Sequence, residues 1–389
     1  MRILIVGSGN YVTGRGTDSY GTILPAIYEF NKEKKIVDEV VILTTSKKSA
    51  KLAEKKNKKI RYLSGHNLGV KIVVKKKNNF KFSTNHAYSR DGIFCTIIAT
   101  PDHTHYKLAK DCLKNKQHCL VVKPVVTKLS ELKNLIKLCK KNQVYGAVEF
   151  HKRFDRQARI LKDKYDSGII GDPLYSWSEY SQKKIVPEKF FKSWISKNNV
   201  FQYLGIHYVD LIRYITNSEP KKVIAIGQKN YLKGKNINTP DSIQTIIEWQ
   251  NPQGISFTQT LLLNWVDPKN TTAMSDQNFK LVGTKGRIES DQKNRGVRIV
   301  EEGSYIEDIN PDFCRVYGTT PGKIRWEGYG IESVKTFLKD IILIKKNKSL
   351  LKSLDEVRPT FKEALYSTAV LEAANYSLLN NSVWKKVKI

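Results

Sequence analysis

Between Ile3 and Phe150 the chain alternates short apolar runs with segments of helical periodicity, and this alternation limits the fold more than any other feature. "ILIVG" (3–7), "DEVVILTT" (38–45), "IFCTIIATP" (93–101), "HCLVV" (118–122) and "VYGAVEF" (144–150) have the continuous apolar character of strands buried on both faces. Between them, "ILPAIYEFNKE", "SKKSAKLAEKKN", "HTHYKLAKDCLKN" and "LSELKNLIKLCKKN" read as helices. Leu108, Ala109, Cys112 and Leu113 share one helical face, and Ser130 is placed as an N-cap. Residues 60–92 read as short strands and loops. Strand–helix alternation of this kind predicts a doubly wound parallel sheet covered by helices on both faces, with the strands' carboxyl ends on one rim.

The second half has a different grammar. A helix from Arg156 to Ser167 stops at "GIIGDP", and longer strands follow: "LYSWSEYSQ", "KKVIAIGQKNYL", "SIQTIIEWQNPQGISFTQTLLLNW" and "FKLVGTKGRIESD". Hairpin turns are expected at "NPQG" and "GTKG", a helix at "GIHYVDLIRYIT", and closing helices at "GIESVKTFLKDIILI" and "RPTFKEALYSTAVLEAANYSLL". The fold class expected is therefore α/β, with a first domain over 1–150. A second, α+β domain over 151–389 holds a large, mostly antiparallel open sheet, its closing helices free to pack back on the first domain.

Composition narrows the function classes. Sixty-seven basic residues against 37 acidic ones give a net charge of +30. Lysine recurs along the whole chain ("EKKNKKI", "VKKKNNFKF", "LIKKNKSLLK"), which favours a solvated basic surface over a nucleic-acid face, and no nucleic-acid-reading motif accompanies it. The five cysteines, Cys95, Cys112, Cys119, Cys139 and Cys314, form no C-x-x-C pair and read as small apolar side chains, with no metal site expected. No apolar run approaches the ~20 residues of a membrane span, and Met1-Arg2 leads straight into "ILIV", so a cytoplasmic protein without a membrane partner is expected.

After the first strand, "VGSGNYV" is a partial dinucleotide fingerprint: Gly7 allows a tight turn, Gly9 lets backbone approach a pyrophosphate, and Asn10 and Tyr11 follow. Val12 stands where a third glycine is usual, and helical periodicity resumes only near Tyr20, so the loop is long. The second strand ends in Thr44, Thr45, Ser46 and Lys47, with no acid to bind a ribose diol. This favours NADP over NAD, although ordinary helix capping would explain the same residues.

At the tip of the strand "HCLVV", Lys123 is followed at once by Pro124, which has no N–H to extend the strand and turns the chain there. An ammonium at a strand's carboxyl end faces the crevice where α/β proteins bind ligands. Thr100, Pro101 and His105 end another strand, "EFHKRFD" contributes His151 and Arg153, and "LGIHYVDLIRYIT" places His207 and Asp210 one turn apart. Lys183, Lys184 and Trp194 lie in an aromatic and basic segment expected to line or cover a pocket.

Together these segments resemble the Gfo/Idh/MocA family, relatives of glucose–fructose oxidoreductase and inositol dehydrogenase. The resemblance rests on Val122-Lys123-Pro124 for the family's Glu-Lys-Pro, T-P-x-x-x-H at 100–105, R-F-D at 153–155 and "GIIGDPL" at 168–174. It extends to G-x-H-x-x-D at 205–210 and the closing "RPTFKEALYSTAVLEAA". It implies an NAD(P)-binding Rossmann domain, a C-terminal domain whose open sheet supports a homo-oligomer (dimer or tetramer), and hydride transfer between nicotinamide and a carbon of a sugar-like substrate. Lys123 then matches the catalytic lysine, steadying a developing alkoxide, and His207 the catalytic histidine, acting as general base. His151, Arg153, Trp194, Tyr203 and Asp210 would join them around the substrate. The positive charge alone suggests an anionic one, a nucleotide sugar or sugar acid. Two departures matter: Tyr203 replaces the acid four residues before the histidine, and Val122 replaces the glutamate beside the lysine. The first keeps open a non-catalytic sensor of the same fold.

Overall fold

A computed structural model describes residues 1–74, 93–303 and 306–389. The chain divides into two compact units that interleave in sequence. The first comprises 1–126, 130–154 and 312–364, and the second 127–129, 155–311 and 365–389.

The first unit is built on β1 (Arg2–Val6), β2 (Glu39–Thr44), β3 (Val70–Val74), β4 (Ile93–Ile98), β5 (His118–Val122) and β6 (Gly146–Glu149). They form one sheet in the order β3-β2-β1-β4-β5-β6, every neighbouring pair parallel. The order reverses between β1 and β4, the switch point at which such sheets open a ligand crevice. The helices of this half are α1 (Asn10–Thr13, a single turn), α2 (Ile23–Lys34), α3 (Lys47–Ser64), α4 (His105–Lys114) and α5 (Leu129–Asn142). α3 runs about two turns beyond the expected end at Asn57 and stops at Gly65, which takes the left-handed conformation. α5 begins at Leu129, so Ser130 lies inside the helix and not at its cap. Of the expected strands and loops over 60–92, residues 75–92 lie outside the described part.

One stretch from late in the sequence, residues 312–364, completes this unit. α8 (Tyr329–Lys346) packs on α2, and Ile331, Val334, Phe337, Leu338 and Ile341 share a core with Ile27, Phe30, Ile3 and Ile42. Each such buried side chain contributes ~1.5–3 kcal/mol. α9 (Leu350–Val357) is a helix the sequence reading did not anticipate. Arg358 to Phe361, expected to open the last helix, instead run extended along β6: Val148 donates to the Pro359 carbonyl at 2.8 Å and Phe361 to that of Gly146 at 2.9 Å. Pro359 explains the difference, because its ring bars the preceding residue from helical geometry; Arg358 sits at φ −124°, ψ 154°. A short hairpin, β15 (Arg315–Tyr317) and β16 (Arg325–Glu327), belongs to the same unit.

The second unit centres on a seven-stranded mixed sheet in the order β12-β11-β7-β10-β9-β8-β17. Its strands are β7 (Pro173–Lys183), β8 (Glu219–Gln228), β9 (Ser242–Gln250), β10 (Ser256–Asp267), β11 (Ser275–Gly283), β12 (Arg287–Asp291) and β17 (Lys385–Lys386). Only β7 and β10 pair in parallel; the other pairs are antiparallel, joined at the expected "NPQG" and "GTKG" turns. Burial alternates residue by residue along β9 and β10, so one face is packed and the other open. α6 (Arg156–Asp166), α7 (Ile206–Thr216) and α10 (Ala364–Leu379) accompany it, with the two-stranded β13 (Val297–Val300) and β14 (Ile306–Ile309). Asp155 caps α6 by accepting from the Gln157 N–H at 3.1 Å. It also forms a fully buried ion pair with Arg295 and accepts from Gln292 at 2.8 Å.

Candidate active site

The rim of the parallel sheet is laid out by small residues that must be small. Gly7 follows β1 with φ +110°, and a Cβ there would lie 2.1 Å from the Ala99 carbonyl at the end of β4. Gly9, two residues on, has nothing within 4 Å of where its Cβ would be, leaving open space over the backbone. A strand, a glycine turn at the sheet's switch point and an open backbone surface fit the pyrophosphate of a dinucleotide. Asn10 accepts from Thr17 Oγ1 at 3.1 Å, which ties the long loop to its own first turn.

Thr44 closes β2 and is buried, its hydroxyl accepting from Ser8 Oγ at 2.9 Å. Thr45, Ser46 and Lys47 are exposed beyond it, and Ser46 caps α3 by accepting from the Ser49 N–H at 3.1 Å. The capping explanation thus holds for Ser46, Thr44 is taken up by Ser8, and Thr45 and Lys47 are left exposed beyond the strand.

At the end of β4, Thr100 Oγ1 lies 2.7 Å from Thr104 Oγ1, and Pro101 precedes a short turn. His105 is wholly buried, with Nδ1 2.8 Å from the Pro124 carbonyl and Nε2 2.7 Å from that of Thr100. Both ring nitrogens therefore face backbone carbonyls. His105 clamps the turn after β4 to the Lys123-Pro124 turn after β5, whose peptide is cis.

Lys123 stands at that second turn, half-buried. Burial pushes its ammonium down from 10.5 to about 8, against the opposing pull of Asp102 and Glu149. Glu149 is the residue that sequence reasoning missed. It is the last residue of β6 and pairs in register with Val122. A carboxylate from the neighbouring strand thus acts on Lys123, the residue after Val122. The missed signal was a lone acid in an otherwise apolar run, "VYGAVEF". Glu149 is 1% exposed; its Oε2 lies 2.9 Å from His151 Nδ1, and its Oε1 has no hydrogen-bond partner among the described residues. Tyr11 completes the cluster, its hydroxyl 3.3 Å from the same His151 nitrogen; burial, then the charge of Glu149, hold that phenol well above its usual value. The His151 ring stacks on Tyr329 and leans on Phe313. Arg153, expected near substrate, directs its guanidinium to Glu363 at 3.3 Å.

In the second unit, His207 lies in the first turn of α7 and is buried, its ring centroid 6.4 Å from that of Tyr180; Asp210, one turn on, is also buried. Gly205 lets this helix sit close to the sheet: a Cβ there would be 2.7 Å from Leu263 Cδ1. Tyr203 joins an aromatic cluster with Phe191 (4.7 Å between centroids), Trp265 (5.9 Å) and Trp194 (6.4 Å). Lys184 Nζ lies 4.6 Å over the Tyr231 ring.

Comparison with known proteins settles the family. The profile described as "Oxidoreductase family, NAD-binding Rossmann fold" matches residues 1–150, and that of the GFO/IDH/MocA C-terminal domain matches 158–289. The chain belongs to the Gfo/Idh/MocA oxidoreductases. It is 24% identical over 248 residues to a myo-inositol 2-dehydrogenase of Thermotoga maritima, covering 63% of this chain and 68% of that one. It is 26% identical over 232 residues to the NAD(+)-dependent scyllo-inositol 2-dehydrogenase of Bacillus subtilis, covering 57% and 62%. Among solved structures, scyllo-inositol dehydrogenase from Lactobacillus casei with bound NAD(H) and scyllo-inositol superposes with a TM-score of 0.66 at 19% identity, over 99% of this chain and 98% of that one. For this Gfo/Idh/MocA chain, the first unit's strand order and glycine turn are those of an NAD-binding Rossmann domain. Among the described residues no group of acidic, histidine and cysteine side chains could hold a metal, and no helix is long and apolar enough to cross a membrane. Cys95, Cys112 and Cys119 are buried, and none of the five cysteines is paired.

Proposed function

We propose that this oxidoreductase transfers hydride between a nicotinamide dinucleotide, NADP in preference to NAD, and a carbinol carbon of a sugar or cyclic polyol. The observation that carries the reading is Lys123: a half-buried ammonium, lowered to about 8, at the carboxyl end of β5, the strand that pairs with β6 and its Glu149. The bound dinucleotide would supply the hydride acceptor or donor, held over Gly7 and Gly9. In the oxidative direction His207 takes the hydroxyl proton as the carbinol C–H leaves as hydride. Lys123 in its charged form offsets the negative charge gathering on the oxygen until C=O has formed. Glu149 favours that charged form. The inositol dehydrogenases among the relatives support a polyhydroxylated substrate; the basic surface supports an anionic variant of it. The absence of an acid at the end of β2 supports NADP.

The open sheet face of the second unit supports a homo-oligomer, dimer or tetramer, and the unpaired thiols support a reducing, cytoplasmic setting. A second reading is a ligand sensor of the same fold. It draws on Tyr203, an uncharged ring held among Phe191, Trp194 and Trp265 where the family has an acid.

The test is a screen of NADPH and NADH with keto-sugars and inososes, followed by nicotinamide absorbance, beside Lys123→Ala. Turnover by wild type with cofactor binding but no turnover by the variant supports the enzyme. Cofactor and ligand binding without turnover in both supports the sensor.

A further inference from the structure

The long loop after the glycine turn holds a cation that the proposed reaction does not use. Arg15 lies in "TGRGT", and Gly14 and Gly16 on either side of it have φ of +70° and +86°. A Cβ on Gly14 would stand 1.9 Å from the Ser19 carbonyl, so the loop crosses itself where only glycine fits. α3 clasps it from the side: Lys56 Nζ donates to the carbonyls of Thr17 and Ser19, both at 2.6 Å. Arg15 is thus presented by a fixed frame. Its Nη1 donates to Ser8 Oγ at 3.3 Å, and that hydroxyl donates to Thr44 Oγ1 at 2.9 Å. The chain of contacts runs from the glycine turn to the last residue of β2, where an NAD-binding domain carries the acid that holds the ribose diol.

No carboxylate pairs with Arg15 among the described residues, and burial lowers its guanidinium. A partly desolvated cation without a counter-charge calls for an anion, and a guanidinium fork matches a phosphate's oxygens. The positions after Thr44 (Thr45, Ser46, Lys47, Lys48) contain no acid to repel one.

We propose that Arg15 is the specificity-determining residue of the cofactor site, contacting the 2′-phosphate of NADP from the glycine-loop side. This rests on the reading of the first unit as an NADP-preferring domain. It adds a residue from the loop, separate from the segment after β2 where that preference was sought.

Equilibrium titration tests it without any substrate. Dissociation constants are measured for NADPH and NADH, and for the fragments 2′,5′-ADP and 5′-AMP, on wild type, Arg15→Ala and Arg15→Gln. Arg15→Gln keeps a donor for Ser8 but not the charge, and circular dichroism checks that each variant is folded. Wild type is expected to prefer NADPH and 2′,5′-ADP. Both variants should lose about 10- to 100-fold for these two ligands, the range of a charge-assisted hydrogen bond, while NADH and 5′-AMP change by less than about twofold. Equal weakening of NADPH and NADH would place Arg15 on the pyrophosphate and overturn the assignment, as would an unchanged preference in both variants. If wild type binds neither dinucleotide, the dinucleotide reading itself is wrong and the assignment falls with it. If it binds both equally, the dinucleotide reading survives and the assignment alone fails.

Discussion

Lys123 carries a free-energy cost that can be measured. Its folded value of about 8 lies below the 10.5 of a solvated lysine. Between those values the unfolded chain still holds a proton that the folded chain has released, so this residue's contribution to stability rises with pH across the window. Near neutral pH both states are charged and burial acts in full. Lys123→Met should therefore be roughly 1–3 kcal/mol more stable than wild type near neutral pH by urea unfolding, with the gap closing as pH rises towards 10.5. A variant no more stable, or a gap that widens with pH, would mean that the ammonium is better paired than described. Lys123 was legible in the sequence because a lysine-proline step ends an apolar strand. Glu149 was not, because its link to Lys123 runs through the pairing of β5 with β6, and register across parallel strands cannot be read from spacing.

At the scale of elements, the strand–helix alternation made five of the first unit's six strands legible; β3 lay in a lysine-rich stretch read only as short strands and loops. The closing region was harder. Pro359 was visible, yet periodicity over 358–379 drew the helix through it, and the extended pairing of Pro359 and Phe361 with β6 depends on a strand more than two hundred residues away. Asp155 was read only as part of R-F-D. In the fold it caps α6 and is buried against Arg295, on the far side of the sheet strands in sequence. Removing it strands a buried guanidinium. Asp155→Ala should cost ~3–5 kcal/mol, while Asp155→Asn, which keeps an acceptor for the Gln157 N–H, should cost less. Equal, small losses in the two variants on chemical unfolding would show that the ion pair contributes little.

For the whole molecule, a net charge of +30 is spread too evenly to mark a partner surface. The open face of the second unit's sheet is more telling. Ile226, Ile246 and Leu262 lie on neighbouring strands β8, β9 and β10 and are 46%, 39% and 40% exposed. An apolar face of this kind suits association with a second copy. Wild type is expected to give an oligomer by light scattering, and Leu262→Glu combined with Ile246→Glu single chains with circular dichroism unchanged. An unaltered oligomer would place the interface elsewhere. The substrate was not legible, because substrate choice depends on side chains set by loops whose spacing follows no period.

The most direct test of the catalytic assignment follows one atom. Wild type is loaded with reduced nicotinamide dinucleotide carrying deuterium at the transferred position and mixed with inososes and keto-sugars, and the products are weighed by mass spectrometry. Wild type is expected to place one deuterium on the former carbonyl carbon, and Lys123→Ala and His207→Ala none, although both still bind the cofactor. Deuterium delivered equally well by Lys123→Ala would contradict that assignment.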